Sequence, residues 1–209
     1  MTKDGLKQKS ISISFPSDNR RGVSSYKNVL FSDYADYKTS CYNYESEYGA
    51  PPPGQAVAFA LSNHLRALNV FKTVYVDKSD SADLILQFSL NSFGAYAEFN
   101  GEAAKNRQAG AQFGLVGALI AEASISDMKS NFSYDIIYSN IRVIDRLGNS
   151  LINRPRFASI DSFTIPAVTN CAIVFSLANE ELKKHNHKFA KIMIDSLSSY
   201  YNTNPRKSE

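Results

Sequence analysis

The sequence predicts an α+β domain: a small, mostly antiparallel sheet with two or three helices packed on one face. Three observations predict it. Period-two alternation marks strands, most clearly at Leu84, Leu86, Phe88 and Leu90, which share one face. Spacings of three and four mark helices, as at Val57, Leu61, Leu65 and Leu68. The order of elements (strand, helix, two strands, small-residue helix, hairpin, closing helix) suits helices covering one face of a sheet whose strands mostly pair antiparallel. The 209 residues, 44% apolar and 21% charged, suit one domain with its own core and exclude wholesale disorder. Residues 11–204 are read as that domain, between a polar tether at 1–10 and a polar tail at 205–209.

Ile11-Ser12-Ile13-Ser14-Phe15 alternates and stops at Pro16, as a first strand with one buried face. Residues 17–54 form a long irregular stretch with six tyrosines, a short strand at Val29-Leu30-Phe31, and Pro51-Pro52-Pro53-Gly54 at its end. A loop of this length is functional or wraps the core. A helix follows from Gln55 to Leu68, with Asn69 suited to the left-handed conformation that ends helices. Val74-Tyr75-Val76 is a short strand, and Asp77 to Ser81 a polar turn into the strand beginning at Leu84, which continues over 92–99 or bends at Gly94.

Ala109 to Ala123 reads as one helix with small residues four apart, at Gly110, Gly114 and Ala118 and at Gly117 and Ala121. That pattern lets backbones approach closely. Two readings stand: a helix buried on the sheet, or an adhesive or membrane-touching segment used in assembly. Next, Phe132, Tyr134, Ile136 and Tyr138 mark one face of a strand, and Ile137, Ile141 and Val143 the other, which suits a central strand. Asp145 to Asn149 is a hairpin turn with Gly148 at a positive φ, and 150–165 the return strand, interrupted at Pro155. Thr169 or Asn170 caps a closing helix whose stripe runs from Val174 through Leu182, Phe189 and Met193 to Tyr200.

Little of this carries chemistry. His185 and His187 sit about 200° apart around a helix, cannot chelate from one face, and read as exposed helix histidines, with His64 the third. There is no H-E-x-x-H, no G-x-S-x-G, and Gly114-Leu115-Val116-Gly117 lacks the Lys-Ser/Thr of a phosphate loop. Asp77, Asp80 and Asp83 read as a solvated turn, since no glycine or closing glutamate completes a calcium loop. No catalytic residue, metal ligand or cofactor is therefore assigned. Cys41 and Cys171, 130 positions apart, are either a disulfide closing a long loop or two buried thiols. Twenty-three basic against twenty acidic residues are too even for a nucleic-acid footprint. Around the tyrosines, Lys27 and Lys38 are outnumbered by Asp33, Asp36, Glu45 and Glu47, so a basic stacking groove is rejected there. No run of eighteen apolar residues occurs.

Pro51-Pro52-Pro53-Gly54 before an amphipathic helix, Leu65-x-x-Leu68, Phe71-Lys72-Thr73-Val74, Ala82-Asp83-Leu84-Ile85-Leu86 and Phe93 form an ordered set. Over 51–93 the chain resembles the periplasmic domain of bacterial ABC-type transport auxiliary lipoproteins, with lipopolysaccharide-assembly lipoproteins as structural cousins. Ile141-x-Val143-Ile144-Asp145-x-x-Gly148 is similar to a hairpin of several outer-membrane lipoproteins, including curli-secretion-type and TolB-amino-terminal-like domains. The resemblance implies a small antiparallel sheet with two helices on one face, no catalytic residues, and work done by binding other envelope components. The family's lipidated amino-terminal cysteine is absent from this chain, and the 109–123 insert is not part of the minimal domain.

The expectation is a non-enzymatic periplasmic module, outer-membrane associated through a lipid not present in this chain, with an envelope protein complex or its own copies as partners. Its contact residues are expected at Gly110, Phe113, Gly114, Leu115, Gly117 and Leu119, and at Tyr37, Tyr42 and Tyr44 in the tyrosine-rich loop. Alternatives are an oligomeric secretion lipoprotein that inserts 109–123 into the outer membrane, and a cytoplasmic enzyme of unrecognised type. A true start at Met1 implies the cytoplasm instead.

Overall fold

The computed structural model describes residues 3–19, 40–41, 53–98, 100–169 and 172–204. Val29-Leu30-Phe31, most of the tyrosine-rich loop and the tail at 205–209 lie outside the described residues. The expected α+β architecture is present. Among the described residues, β1 (Ser10–Ile13), β2 (Ser17–Asp18), β3 (Ser40–Cys41), β4 (Thr73–Val76), β5 (Leu84–Glu98), β6 (Lys129–Asp145) and β7 (Ser150–Pro166) form one sheet, in the order β4-β1-β5-β6-β7. The sheet is mixed. The two long ladders, β5–β6 and β6–β7, are antiparallel, whereas β1 runs parallel to both β4 and β5. On its other edge the fifteen-residue β5 is lined in turn by β1, β2 and β3.

Residues expected to be a free tether are partly ordered. Lys3–Leu6 form a helical turn (α1), and Leu6 is buried because it joins the main core. The whole of β1 is buried, serines included. Ile11 and Ile13 enter the core, and the connection from β4 to β5 lies over Ser10 and Ser12. Lys78 donates its backbone N–H to Ser12 Oγ (3.0 Å), and Asp83 Oδ2 accepts from Ser10 N (2.8 Å) and Ser10 Oγ (2.7 Å). Asp83 is thus a fixed acceptor and not a solvated turn residue. Burial pulls its carboxyl upward, but the Ser10 hydrogen bonds and the charges of Arg146 and Lys9 outweigh this and hold it below the usual range.

Helix α2 (Pro53–Leu68) buries Val57, Leu61 and Leu65, and ends where Asn69 takes φ 49°, as expected of asparagine there. Thirty-two residues, Ala172–Thr203, form the closing helix α5; its expected cap at Asn170 lies outside the described residues. Phe189 of α5 is fully buried at the centre of an aromatic cluster. Its ring lies 5.2 Å from Tyr138, 5.3 Å from Phe157 and 5.9 Å from Phe88, on three neighbouring strands.

The assignment of Ile141 and Val143 to the face opposite Tyr138 is corrected. Ile136, Tyr138, Ile141 and Val143 all belong to one core cluster. Asn140, at φ 50°, is skipped in the pairing of β6 with β7, opposite Pro155, and moves the alternation by one residue. Both faces of β6 read as apolar because the face changes sides midway. Turn Asp145–Asn149 forms as expected, with Gly148 at φ 82°.

Phe189→Ala is expected to remove about 3–5 kcal/mol of stability, since it empties a site walled by three rings. Urea unfolding at neutral pH measures the loss.

Candidate docking surface

Residues 100–128, expected to hold one helix over 109–123, form a helical hairpin between β5 and β6. Helix α3 spans Gly101–Ala111 and α4 spans Gly114–Ile125. Asn100 caps α3, its side chain accepting from Ala103 N at 2.9 Å. The chain reverses through Gln112 and Phe113 into Gly114, at φ 69°, a conformation that strains any residue with a Cβ.

The small residues face each other across the hairpin. A Cβ added to Gly110 would run into Gly117 and Ala121, and one added to Gly117 would run into Gly110 and Phe113. Arg107 of α3 donates from one guanidinium edge, through Nε and Nη2, to the two carboxylate oxygens of Glu122 of α4, at 2.6 and 2.8 Å, and through Nη1 to Thr169 beyond β7. That hydrogen-bonded pairing raises the Arg107 pKa and lowers that of Glu122. Asn100 N donates to Val168 O at 2.8 Å. The base of the hairpin is therefore pinned to the sheet.

Its seam lies on one side of α4, and the other side is open. Phe113 is 78% exposed, Leu115 81%, Val116 67%, Leu119 64% and Ile120 66%. At about 100° per residue the four aliphatic side chains of α4 cover a stripe roughly 140° wide. Five such residues together reach several hundred Å², the scale on which exposed apolar patches mark interaction sites. Helix α4 extends about 18 Å, against about 30 Å for a hydrocarbon core. No helix among the described residues is long and apolar enough to cross a membrane.

The reading of a helix buried on the sheet is thus overturned for this face. Among the expected contact residues, Phe113, Gly114, Leu115 and Leu119 are exposed, but Gly110 is buried and Gly117 half-buried in the seam. Val116 and Ile120, not among the expected residues, share the exposed stripe with Leu115 and Leu119, as helical spacing dictates. Tyr37, Tyr42, Tyr44 and Cys171 lie outside the described residues, so the loop contacts and the cysteine pairing have no structural counterpart here.

A second group lies beneath α5. His185, read from sequence as an exposed histidine, is fully buried, because it faces Tyr138 and Phe157 at ring distances of 4.4 and 4.7 Å. Its Nδ1 meets Ser159 Oγ at 2.8 Å and its Nε2 has no partner among the described residues. Next to it, Asn186 Oδ1 accepts from Tyr138 OH at 2.7 Å. Glu181, one turn before His185, is bonded to Lys184 at 2.6 Å and to Tyr134. Burial, then the Glu181 contacts, push the Tyr134 phenol up to about 12. Serine, histidine and carboxylate are close, but no carboxylate is bonded to the imidazole, and the ring is enclosed, which is not a triad's arrangement. His187 and His64 are not exposed surface residues either: they are half-buried between α5 and α2, with Nδ1 and Nε2 3.1 Å apart. Burial first, and then His187, lower the His64 pKa. Among the described residues no group of three or more His, Cys, Asp or Glu is placed to hold a metal ion. A hollow of about 550 Å³, whose lining joins the polar Ser14, Ser17, Gln87, Ser89, Asn140 and Arg142 to Phe15 and Phe88, pairs no base with a nucleophile.

No protein-family model matches the chain, and no curated protein matches it. Among solved structures, a Xanthomonas campestris protein assigned to DUF330 is similar with a TM-score of 0.52 at 10% identity, over 90% of this chain and 85% of its own. That likeness is one of fold. The PelC dodecamer from Paraburkholderia phytofirmans is similar with a TM-score of 0.36 at 11% identity, over 87% and 88% of the two chains. For a minor lipoprotein from Acinetobacter baumannii the values are 0.31 and 10%, over 91% of each chain.

Gly117→Val is expected to prise α3 from α4 at a local penalty of about 1–3 kcal/mol. Limited proteolysis should then cut between residues 111 and 114, while far-ultraviolet circular dichroism of the sheet and α5 persists. The enclosed His185 makes a pH prediction. Burial, then Lys188, hold its pKa down to about 3, so the unfolded chain takes up the proton first. Stability is complete above about pH 6.5 and is lost as the pH falls toward 3, by roughly 2 kcal/mol at pH 5. Urea midpoints at pH 7.5 and 5 test this, with His185→Gln expected to flatten the dependence.

Proposed function

We propose that the chain is a non-enzymatic interaction module of the bacterial cell envelope: the periplasmic domain of an outer-membrane-associated lipoprotein, acting as an accessory subunit of a transport, lipid-trafficking or secretion assembly. One observation carries the proposal, the exposed apolar outer face of α4 on a hairpin whose seam and base are fixed. Rigid presentation matters, because a surface that is already ordered loses little conformational entropy when it binds. Phe113, Leu115 and Leu119, together with Val116 and Ile120, make the contact; Gly110, Gly114 and Gly117 shape the hairpin that presents it. The resemblance of residues 51–93 to transport auxiliary lipoproteins supports the envelope as the location. A helix of about 18 Å docks on a partner or dips into a surface, and this favours the accessory reading over a membrane-spanning one.

The test is made in the native host. Fractionation is expected to find the chain with the envelope. A photo-crosslinking residue at Leu119 should capture one discrete partner that the same residue at Lys191, on the exposed side of α5, does not. Recovery in the cytosol, or identical capture from both positions, rejects the proposal.

A further inference from the structure

Strand β7 closes one side of the sheet, and no described strand pairs with its outer edge. Which of its backbone groups face outward follows from the ladder. Ala167 donates to Met128 O, so odd-numbered residues of β7 from 157 to 165 bond inward to β6 and even-numbered ones point away. Three side-chain bonds fit this parity. Ser162 N–H is taken by Asp161 Oδ1 at 2.8 Å, Arg156 O accepts from Arg154 Nε at 3.2 Å, and Ile152 O accepts from Ser150 Oγ at 3.2 Å. Pro166, which has no N–H to offer, is also on the outward set. The outward N–H groups of Ala158, Ile160 and Thr164 have no partner among the described residues.

Sheet edges are normally guarded by a bulge, a proline, charged side chains or a covering element. Between Arg156 and Thr164 the strand has no proline or lysine and its pairing with β6 is unbroken; Asp161 is its one charge between those ends, and its carboxylate is turned onto Ser162 N–H. Ile160 sits in the middle of this stretch, 61% exposed.

We propose that β7 pairs antiparallel, edge to edge, with β7 of a second copy of this chain, about a two-fold axis at Ile160. The sequence is self-complementary in that register. Ile160 meets Ile160 of the other copy on the open face of the sheet. On the helix face Asp161 meets the uncharged Ser159, and Phe163, 37% exposed, meets Phe157. Arg156 meets Thr164. No like charges are opposed. Moving the axis one residue, to Asp161, would set two carboxylates directly against each other, and this disfavours that register. The result is one continuous sheet across two copies, an isologous contact that closes at the dimer.

The surface is separate from the outer face of α4, so its test is separate as well. Light scattering of the purified full chain is expected to report a dimer. Ile160→Pro should make it monomeric with unchanged circular dichroism, because the N–H it removes bonds nothing among the described residues. Ile160→Lys serves where proline disturbs folding. Ile160→Cys should form a 160–160 disulfide under mild oxidation, since directly paired residues lie about 5.5 Å apart between Cα atoms. Peptide mass spectrometry distinguishes that link from any involving Cys41 or Cys171. Ala158→Cys should not link to itself. A monomeric wild type, a dimer that survives both Ile160 substitutions, or equal linking at 158 and 160 overturns the proposal. Loss of the dimer in Leu119→Ser, with Ile160→Pro still dimeric, assigns self-contact to α4 and overturns it too.

Discussion

The packing of Phe189 against Tyr138, Phe157 and Phe88 is the contact on which the rest of the structure depends. It lays one helix across three strands, so α5 covers one face of the long antiparallel part of the sheet. That coverage joins β5, β6 and β7 into one body, although β7 contributes only Phe157 and Ile165 as buried hydrophobic residues. The same packing encloses His185, whose neutral form is the only one a ring-lined site accepts without a counter-charge. Local folding energy and sensitivity to acid thus come from one place.

The same arrangement leaves two places open. No described strand lies beside the outer edge of β7, and the connection between β5 and β6 leaves the body as a hairpin rather than folding back as another layer. Two glycines let α3 and α4 come close enough to form a unit of their own, and Arg107 ties that unit to Thr169. The small-residue spacing in the sequence was a correct signal of close approach, but the sequence does not say what approaches. A break at Gln112 and Phe113, where no proline stands, turned a single expected helix into two that pack on each other.

Where pattern and fold agree, the elements are those whose face is set by burial alone. Helix α2 and its asparagine stop, the strand from Leu84, the turn at Gly148 and the stripe of α5 were all readable. Misreadings cluster where one residue's backbone overrides the alternation. Asn140 at φ 50° moved Ile141 and Val143 to the face of Tyr138, which period-two counting cannot foresee. His185 was misjudged for a related reason. Its type says surface, but it stands four residues before Phe189 on the buried stripe, and position decided. Asp83 was legible only through Ser10, 73 residues away in sequence.

The outer face of α4 gains its meaning from what the fold does not require. The seam is complete with Gly110, Gly117 and Ala121, and the base is fixed by Asn100 and Arg107. Leu115, Val116, Leu119 and Ile120 add nothing to either, and in water their exposure lowers solubility without raising stability. Polar residues at those positions would keep the same helix propensity to within a few tenths of a kcal/mol and leave the hairpin geometry unchanged. A rigid arm whose apolar side chains are not needed to build it is the feature on which the proposed docking role rests.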